Sequence, residues 1–262
     1  MTTGRTVKRY LRIYSAGYDL SGYARNIGPL SVEHDAPSDA ALTDPVKNAL
    51  CGNAAVSVGA LNGFFDNTAL VGLHAHMSGA GVKRTLLIVQ GMNDEPAQGD
   101  PAFAGEFTQL SYQEQPDANF VVVNIPFGNA ENTGAALAYE NPWGVLLNPV
   151  SVARTAVNAA IGVDNPIELA TAYGGFMCYQ LLAVVGTGSV TLKVQDAATN
   201  TDVNFVDLSG ASSGAIAHTL VPSAGIIALG RTATVRRYLR WQLAFTTITS
   251  ATFALSFHRA YG

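Results

Sequence analysis

The sequence predicts an all-β protein built as two β-sandwich units. Three observations carry this. Hydrophobic residues alternate with period two in several segments, turn residues recur at short intervals, and only one clear helix signature occurs in 262 residues. Many short strands with so little helix exclude a parallel α/β architecture.

In chain order, the stretch 12–23 reads as a short strand, a tight Gly17-Tyr18-Asp19 turn and a second strand. The stretch 59–67 reads as a strand ending in a turn. The helix is placed at 44–51: Asp44 caps it, Pro45 suits the first helical position, Val46, Ala49 and Leu50 share one face, and Gly52 stops it. A further helical turn is expected at 69–77. The apolar runs 85–89, 120–125 and 176–185 suit strands covered on both faces. Val190, Leu192 and Val194, then Leu239, Trp241, Leu243 and Phe245, then Phe253, Leu255 and Phe257, alternate as strands with one face on a core. Gly, Asn and Pro between 129 and 149 mark a long loop, which places the first unit at 1–140 and the second at 141–262.

Charged residues make up 13% of the chain, about half the usual share, and the net charge is −4. Hydroxyl and amide side chains solvate such a surface, which lets neighbouring molecules pack closely. Basic residues gather locally, at Arg5, Lys8, Arg9 and Arg12 and again at Arg231, Arg236, Arg237 and Arg240. They read as solvated strand faces or intersubunit ion pairs in preference to a nucleic-acid site. The stretches 6–12 and 234–240 agree at six of seven positions, with Lys8 against Arg236 as the seventh.

Motifs that could carry chemistry fail on their context. Gly210-Ala211-Ser212-Ser213-Gly214 has serine-hydrolase spacing but lies in a small-residue loop before a strand, where a nucleophile elbow needs a following helix. Gly79-Ala80-Gly81-Val82-Lys83-Arg84 lacks the Gly before Lys and the Ser or Thr after it that a phosphate loop requires, and reads as a glycine hairpin. His74 and His76 have no third ligand nearby in sequence. Glu106 with Glu114, or Asp94 with Glu95, have the default role of exposed acids. Cys51 and Cys178 are isolated small hydrophobes. No cofactor, metal or catalytic residue is expected, nor a signal peptide, membrane span or membrane anchor.

The segment 12–23, with its Gly17-Tyr18-Asp19-Leu20-Ser21-Gly22 turn, and Leu61-Asn62-Gly63-Phe64-Phe65-Asp66-Asn67 together carry a resemblance. This arrangement resembles the opening of the tail tube proteins of long-tailed bacteriophages, over roughly residues 5 to 125. The run 184–192 and the ending 237–243 resemble accessory sandwich domains of phage virion proteins. What the resemblance implies is a non-enzymatic virion protein made in the host cytoplasm and resident in the tail. Six copies would close into a ring, rings would stack into a tube, other tail proteins would be partners, and genomic DNA would be transient cargo in the lumen. The 44–51 helix would pack outside the sandwich, and the segments 23–43 and 90–104 would reach neighbours. Intersubunit contacts would fall on Arg5, Lys8, Arg9, Tyr10, Arg12, Tyr18 and Tyr23, since tyrosine anchors interfaces well. The alternatives are a capsid decoration or neck protein, or a carbohydrate-binding receptor-recognition module.

Overall fold

The computed structural model describes residues 8–35, 54–68, 72–91, 95–117, 119–130, 141–150, 152–159, 161–164 and 170–260. The expected 44–51 helix, Arg5, Cys51 and the 131–140 part of the expected loop lie outside these residues. The protein is all-β with antiparallel pairing and one short helix, as the alternation predicts.

In the N-terminal half the strands are β1 (Leu11–Ser15), β2 (Tyr18–Asp19), β3 (Ala24–His34), β4 (Ala54–Phe64), β5 (Lys83–Gln90), β6 (Pro101–Gln109), β7 (Gln113–Asp117), β8 (Phe120–Ile125) and β9 (Phe127–Ala130). The helix α1 (Leu73–Met77) falls within the expected 69–77 turn. Strands β2, β1, β5 and β6 form one sheet, and β3, β4, β8 and β7 form the facing one. Strand β9 pairs with both β6 and β4 and links the layers. Between them Ile13, Leu61, Ile88, Phe103, Phe107, Val123 and Ile125 are buried, and α1 closes one side with Leu73 and Met77. Each such side chain contributes about 1.5–3 kcal/mol by leaving water.

The C-terminal half contains β10 (Trp143–Asn148), β11 (Val163–Asp164), β12 (Gly175–Ala197), β13 (Val206–Ser212), β14 (Ile216–Ala217), β15 (Ser223–Ala228) and β16 (Tyr238–Arg259). Strands β12 and β16 pair along nearly their whole lengths. The alternating Val190, Leu192 and Val194 meet Leu239, Trp241 and Leu243 in a core closed by Leu208, Ala211 and Ile216. Strand β10 pairs with β6 on one edge and β16 on the other, so the sheet passes between the halves without a break.

A third buried cluster joins the halves. Tyr14, Leu87, Val89, Ala102, Ala104, Leu146, Phe176, Cys178 and Ala254 pack together, with β12 and β15 touching β5. Four small alanines there, Ala102, Ala104, Ala254 and Ala260, let the strands approach closely. Gln180 of β12 is fully buried and fixes the contact: its Oε1 accepts from Gly17 N at 2.7 Å and its Nε2 donates to Thr85 O at 2.9 Å. The β1–β2 turn has Ala16 and Gly17 at positive φ (52° and 86°), the conformation a two-residue hairpin demands. A Cβ on Gly17 would lie 2.5 Å from Ser223 N, so this position also needs glycine for close approach.

Two apolar runs differ from expectation. The 85–89 run is covered on both faces over residues 86–89, but the 120–125 run is covered on one: Phe120 is 63% and Val121 42% exposed. The outer face of the β3–β4–β8–β7 sheet has no layer over it among the described residues. The 176–185 run is buried only to Leu181, and Val185 lies open.

Candidate interaction surface

The N-terminal residues Lys8–Tyr10 form a single 3-10 turn that leads into β1. Lys8 and Arg9 are exposed, and the Arg9 guanidinium lies 4.7 Å from the Tyr10 ring centre and donates to the Tyr10 hydroxyl. Arg12 turns back to donate to the carbonyls of Arg9 (2.8 Å) and Leu11 (3.1 Å). The start of β3 brings Arg25 and Asn26 to the same corner. A cavity of about 400 Å³ results, with Lys8, Arg9, Arg12 and Arg25 around it, Ser21 and Asn26 as polar neighbours, and no carboxylate among the described residues of its lining.

The structure therefore brings Lys8, Arg9, Tyr10 and Arg12 together, and separates Tyr18 and Tyr23 from them in role. Tyr18 stacks on His76 with ring centres 3.3 Å apart. Tyr23 is half-buried against the first core, and its carbonyl accepts from Phe64 N at 2.9 Å.

A second depression, of about 640 Å³, crosses the open face of the β3–β4–β8–β7 sheet. Strand register aligns Asn26 with Asn62, Asn62 with Asn124, and Asn124 with Gln113, a transverse row of amides over four strands. Sequence reasoning missed this row because it exists only through register. Its one local signal is Asn62 and Asn124, the lone amide side chains inside otherwise largely apolar strands. Arg25 spans the face to reach Asp117 at 2.9 Å, passing 5.2 Å from the Phe64 ring centre, while Phe64 meets Phe120 edge-on at 5.4 Å. Lys8 and Glu114 border the depression.

The second basic cluster is engaged within the chain. Arg237 makes a bidentate pair with Asp164, both contacts 2.8 Å, whose hydrogen bonds hold the Asp164 carboxyl below its ordinary range. Arg240 is buried, donates to Gln195 (2.8 Å), the Ala159 carbonyl (2.9 Å) and Asp202, and lies over the Phe205 ring. Arg236 donates its backbone N–H to Asp196 at 2.8 Å. The echo between 6–12 and 234–240 thus places Arg12 at a half-exposed corner and Arg240 in a core.

The remaining motifs settle into structural roles. Ser213 Oγ accepts from Leu192 N (3.0 Å) and donates to the Gly214 carbonyl (2.7 Å) in the loop between β13 and β14, with no helix behind it. Gly79 and Gly81 turn the chain into β5, with Gly81 N donating to Gln109 O at 2.7 Å. His74 and His76 sit on α1. His74 meets the Tyr112 hydroxyl at 3.1 Å and Glu114 at 3.5 Å, and burial, with Glu114 adding to it, pushes the Tyr112 hydroxyl up to about 12. Among the described residues no cluster of three metal-ligating side chains occurs, and no helix is long and apolar enough to cross a membrane.

Fold and surface together define a β-rich scaffold with two cores, a basic corner and an uncovered polar sheet face. No protein-family model and no curated protein matches the chain. Among solved structures it is similar to the Dit (gp 19.1) protein of SPP1, described as a paradigm of the hub adsorption apparatus in Gram-positive infecting phages. Identity is 13%, over 96% of this chain and 99% of that one, with a TM-score of 0.32. At that level of overlap nothing is transferred from one chain to the other.

Proposed function

We propose that this chain is a non-enzymatic structural subunit of a bacteriophage tail, assembling into stacked hexameric rings that form a tube for DNA delivery. One observation carries the reading. The four-stranded β3–β4–β8–β7 sheet ends, among the described residues, in two outer edges with no paired strand. Unpaired edges invite another chain. Because the four strands are antiparallel, β3 and β7 run in opposite directions, so β7 of one copy meets β3 of the next in antiparallel fashion around a closed ring. The resemblance of the 12–23 and 61–67 segments to tail tube proteins supports the same assembly.

In such a ring the open face looks onto the central hole, because its other face is the packed core. The amide row, with Lys8 and Arg25 offset by Glu114 and Asp117, offers DNA phosphates a surface of little net charge. The unit 1–140 forms the ring, the unit 141–262 decorates its outside, and other tail proteins meet its ends.

Negative-stain microscopy of the concentrated protein, with its mass measured in parallel, tests this. Six-fold rings or hollow tubes are the expected result, and a monodisperse monomer or compact trimer at every concentration overturns it. Gln113→Lys with Gln115→Lys places two edge lysines on exposed β7. This variant is expected to melt like the parent and to form at least tenfold fewer rings.

A further inference from the structure

Arg25 is the extra residue of a β-bulge. The β3–β4 register passes from Ala24 opposite Gly63 to Asn26 opposite Asn62, which leaves Arg25 without a counterpart on β4. A bulge re-aims the side chain that it carries. Here the guanidinium lies 5.2 Å from the Phe64 ring centre and pairs with Asp117 at 2.9 Å. Arg25 stands on one outer strand of the open sheet and Asp117 ends the other, with β4 and β8 between them. Beside the pair Phe64 meets the exposed Phe120 edge-on. Lys8 and Glu114 are the other charged residues that line the depression there.

Strand β7 has little else to hold it. All five of its residues, Gln113–Asp117, are exposed, so it sinks no side chain into the core. Beyond its backbone pairing with β8, side chains tie it on both faces. Glu114, opposite the buried Val123, reaches His74 of α1 at 3.5 Å on the core side. Asp117, opposite the exposed Phe120, reaches Arg25 on the outer side. Elements with few buried contacts are the first to open.

We propose that the Arg25–Asp117 pair is a clasp that holds β7 on the sheet, and that opening it lets β7 detach and uncovers the edge of β8. The bulge supplies the aim, the Phe64 ring seats the guanidinium, and Asp117 anchors its far end. Because the two residues belong to the two outer strands, the clasp couples the curl of the sheet to the position of its edge. It operates within a single copy, with both charges satisfied by each other. Its link to assembly rests on the ring reading, in which β7 is one of the two edges that meet. An exposed ion pair shifts an opening equilibrium by up to about fivefold, and a cation seated on an aromatic face by a comparable factor.

Hydrogen exchange of the β7 and β8 amides in dilute protein tests the clasp. It is measured on the full-length parent, Arg25→Gln, Asp117→Asn and the double variant. Each single variant is expected to exchange three- to tenfold faster in β7 and at the β8 amides facing it, while β5 and β6 stay as in the parent. The double variant should exchange no faster than Arg25→Gln alone, because the clasp is lost only once. Raising salt from 50 to 500 mM should speed β7 exchange in the parent and leave Asp117→Asn unchanged. Single variants that exchange like the parent overturn the proposal, as do effects that multiply in the double variant or acceleration spread equally over β5 and β6. Where the parent forms rings, either single variant should form at least threefold fewer, and undiminished rings with a faster β7 would overturn the link to assembly. If the parent forms no rings, the ring reading fails separately, and the exchange rates still decide the clasp.

Discussion

Gln180→Ala is expected to destabilise the protein by about 3–5 kcal/mol. The substitution strands two backbone groups, the Gly17 N–H and the Thr85 carbonyl, which Gln180 satisfies at 2.7 and 2.9 Å. Each orphaned group costs about 1–3 kcal/mol, and the space left by a fully buried amide adds to that. Gly17→Ala acts on the same junction from the other side. Its Cβ would stand 2.5 Å from Ser223 N and 2.9 Å from Leu181 O, both backbone atoms, at a φ of +86°. Relief requires the β1–β2 turn to leave β12. Urea or thermal unfolding of both variants checks this, with Tm expected to fall by roughly 6–15 °C for a chain of this size. The double variant should cost clearly less than the sum, because breaking the junction once removes what the second substitution would lose. Full additivity would mean that the turn and β12 are energetically independent.

The features that the sequence makes legible are the local ones. Period-two alternation at Val190, Leu192 and Val194 is enough to place a half-buried strand, and each of these side chains is indeed fully buried. Gly79 and Gly81 announce a turn, but not what it joins: in the structure it leads from the helix α1 into β5 and is no hairpin. The 120–125 run shows where this stops. An apolar strand looks the same whether its second face is covered by its own fold or left open, and in the structure Phe120 and Val121 lie open. The partners of the second basic cluster were equally out of reach, because Asp164 lies 73 residues from Arg237 and Asp202 lies 38 from Arg240. The basic corner was legible in part: Lys8, Arg9, Tyr10 and Arg12 are neighbours in sequence, whereas Arg25 and Asn26 join them only through the β1–β3 geometry. The amide row depends on register across four strands, and no single-strand pattern encodes it.

Acid should loosen the junction between the halves before it reaches the surface ion pairs. His258 is fully buried, stacked on Phe176 with ring centres 4.4 Å apart and 2.8 Å from Ser256 Oγ. Burial lowers its pKa to about 3, against an opposing effect from backbone groups of Pro142 and Trp143. The folded state therefore resists a proton that the unfolded chain takes up near pH 6.5. Stability from this group is complete above pH 6.5 and declines as pH falls, by about 1.4 kcal/mol per unit, until the folded pKa is reached near 3. Asp164 and Asp207 have carboxyl pKa values held down by Arg237 and Lys193, so their contribution is lost only below the ordinary aspartate range. Between pH 6.5 and 4.5 the parent should lose roughly 2.3 kcal/mol through this group. His258→Phe keeps the stacked ring and removes the titration. Denaturant unfolding at the two pH values should show a loss smaller by about that amount in the variant, whatever its stability at pH 7. An equal loss in both proteins would assign the acid sensitivity to another group.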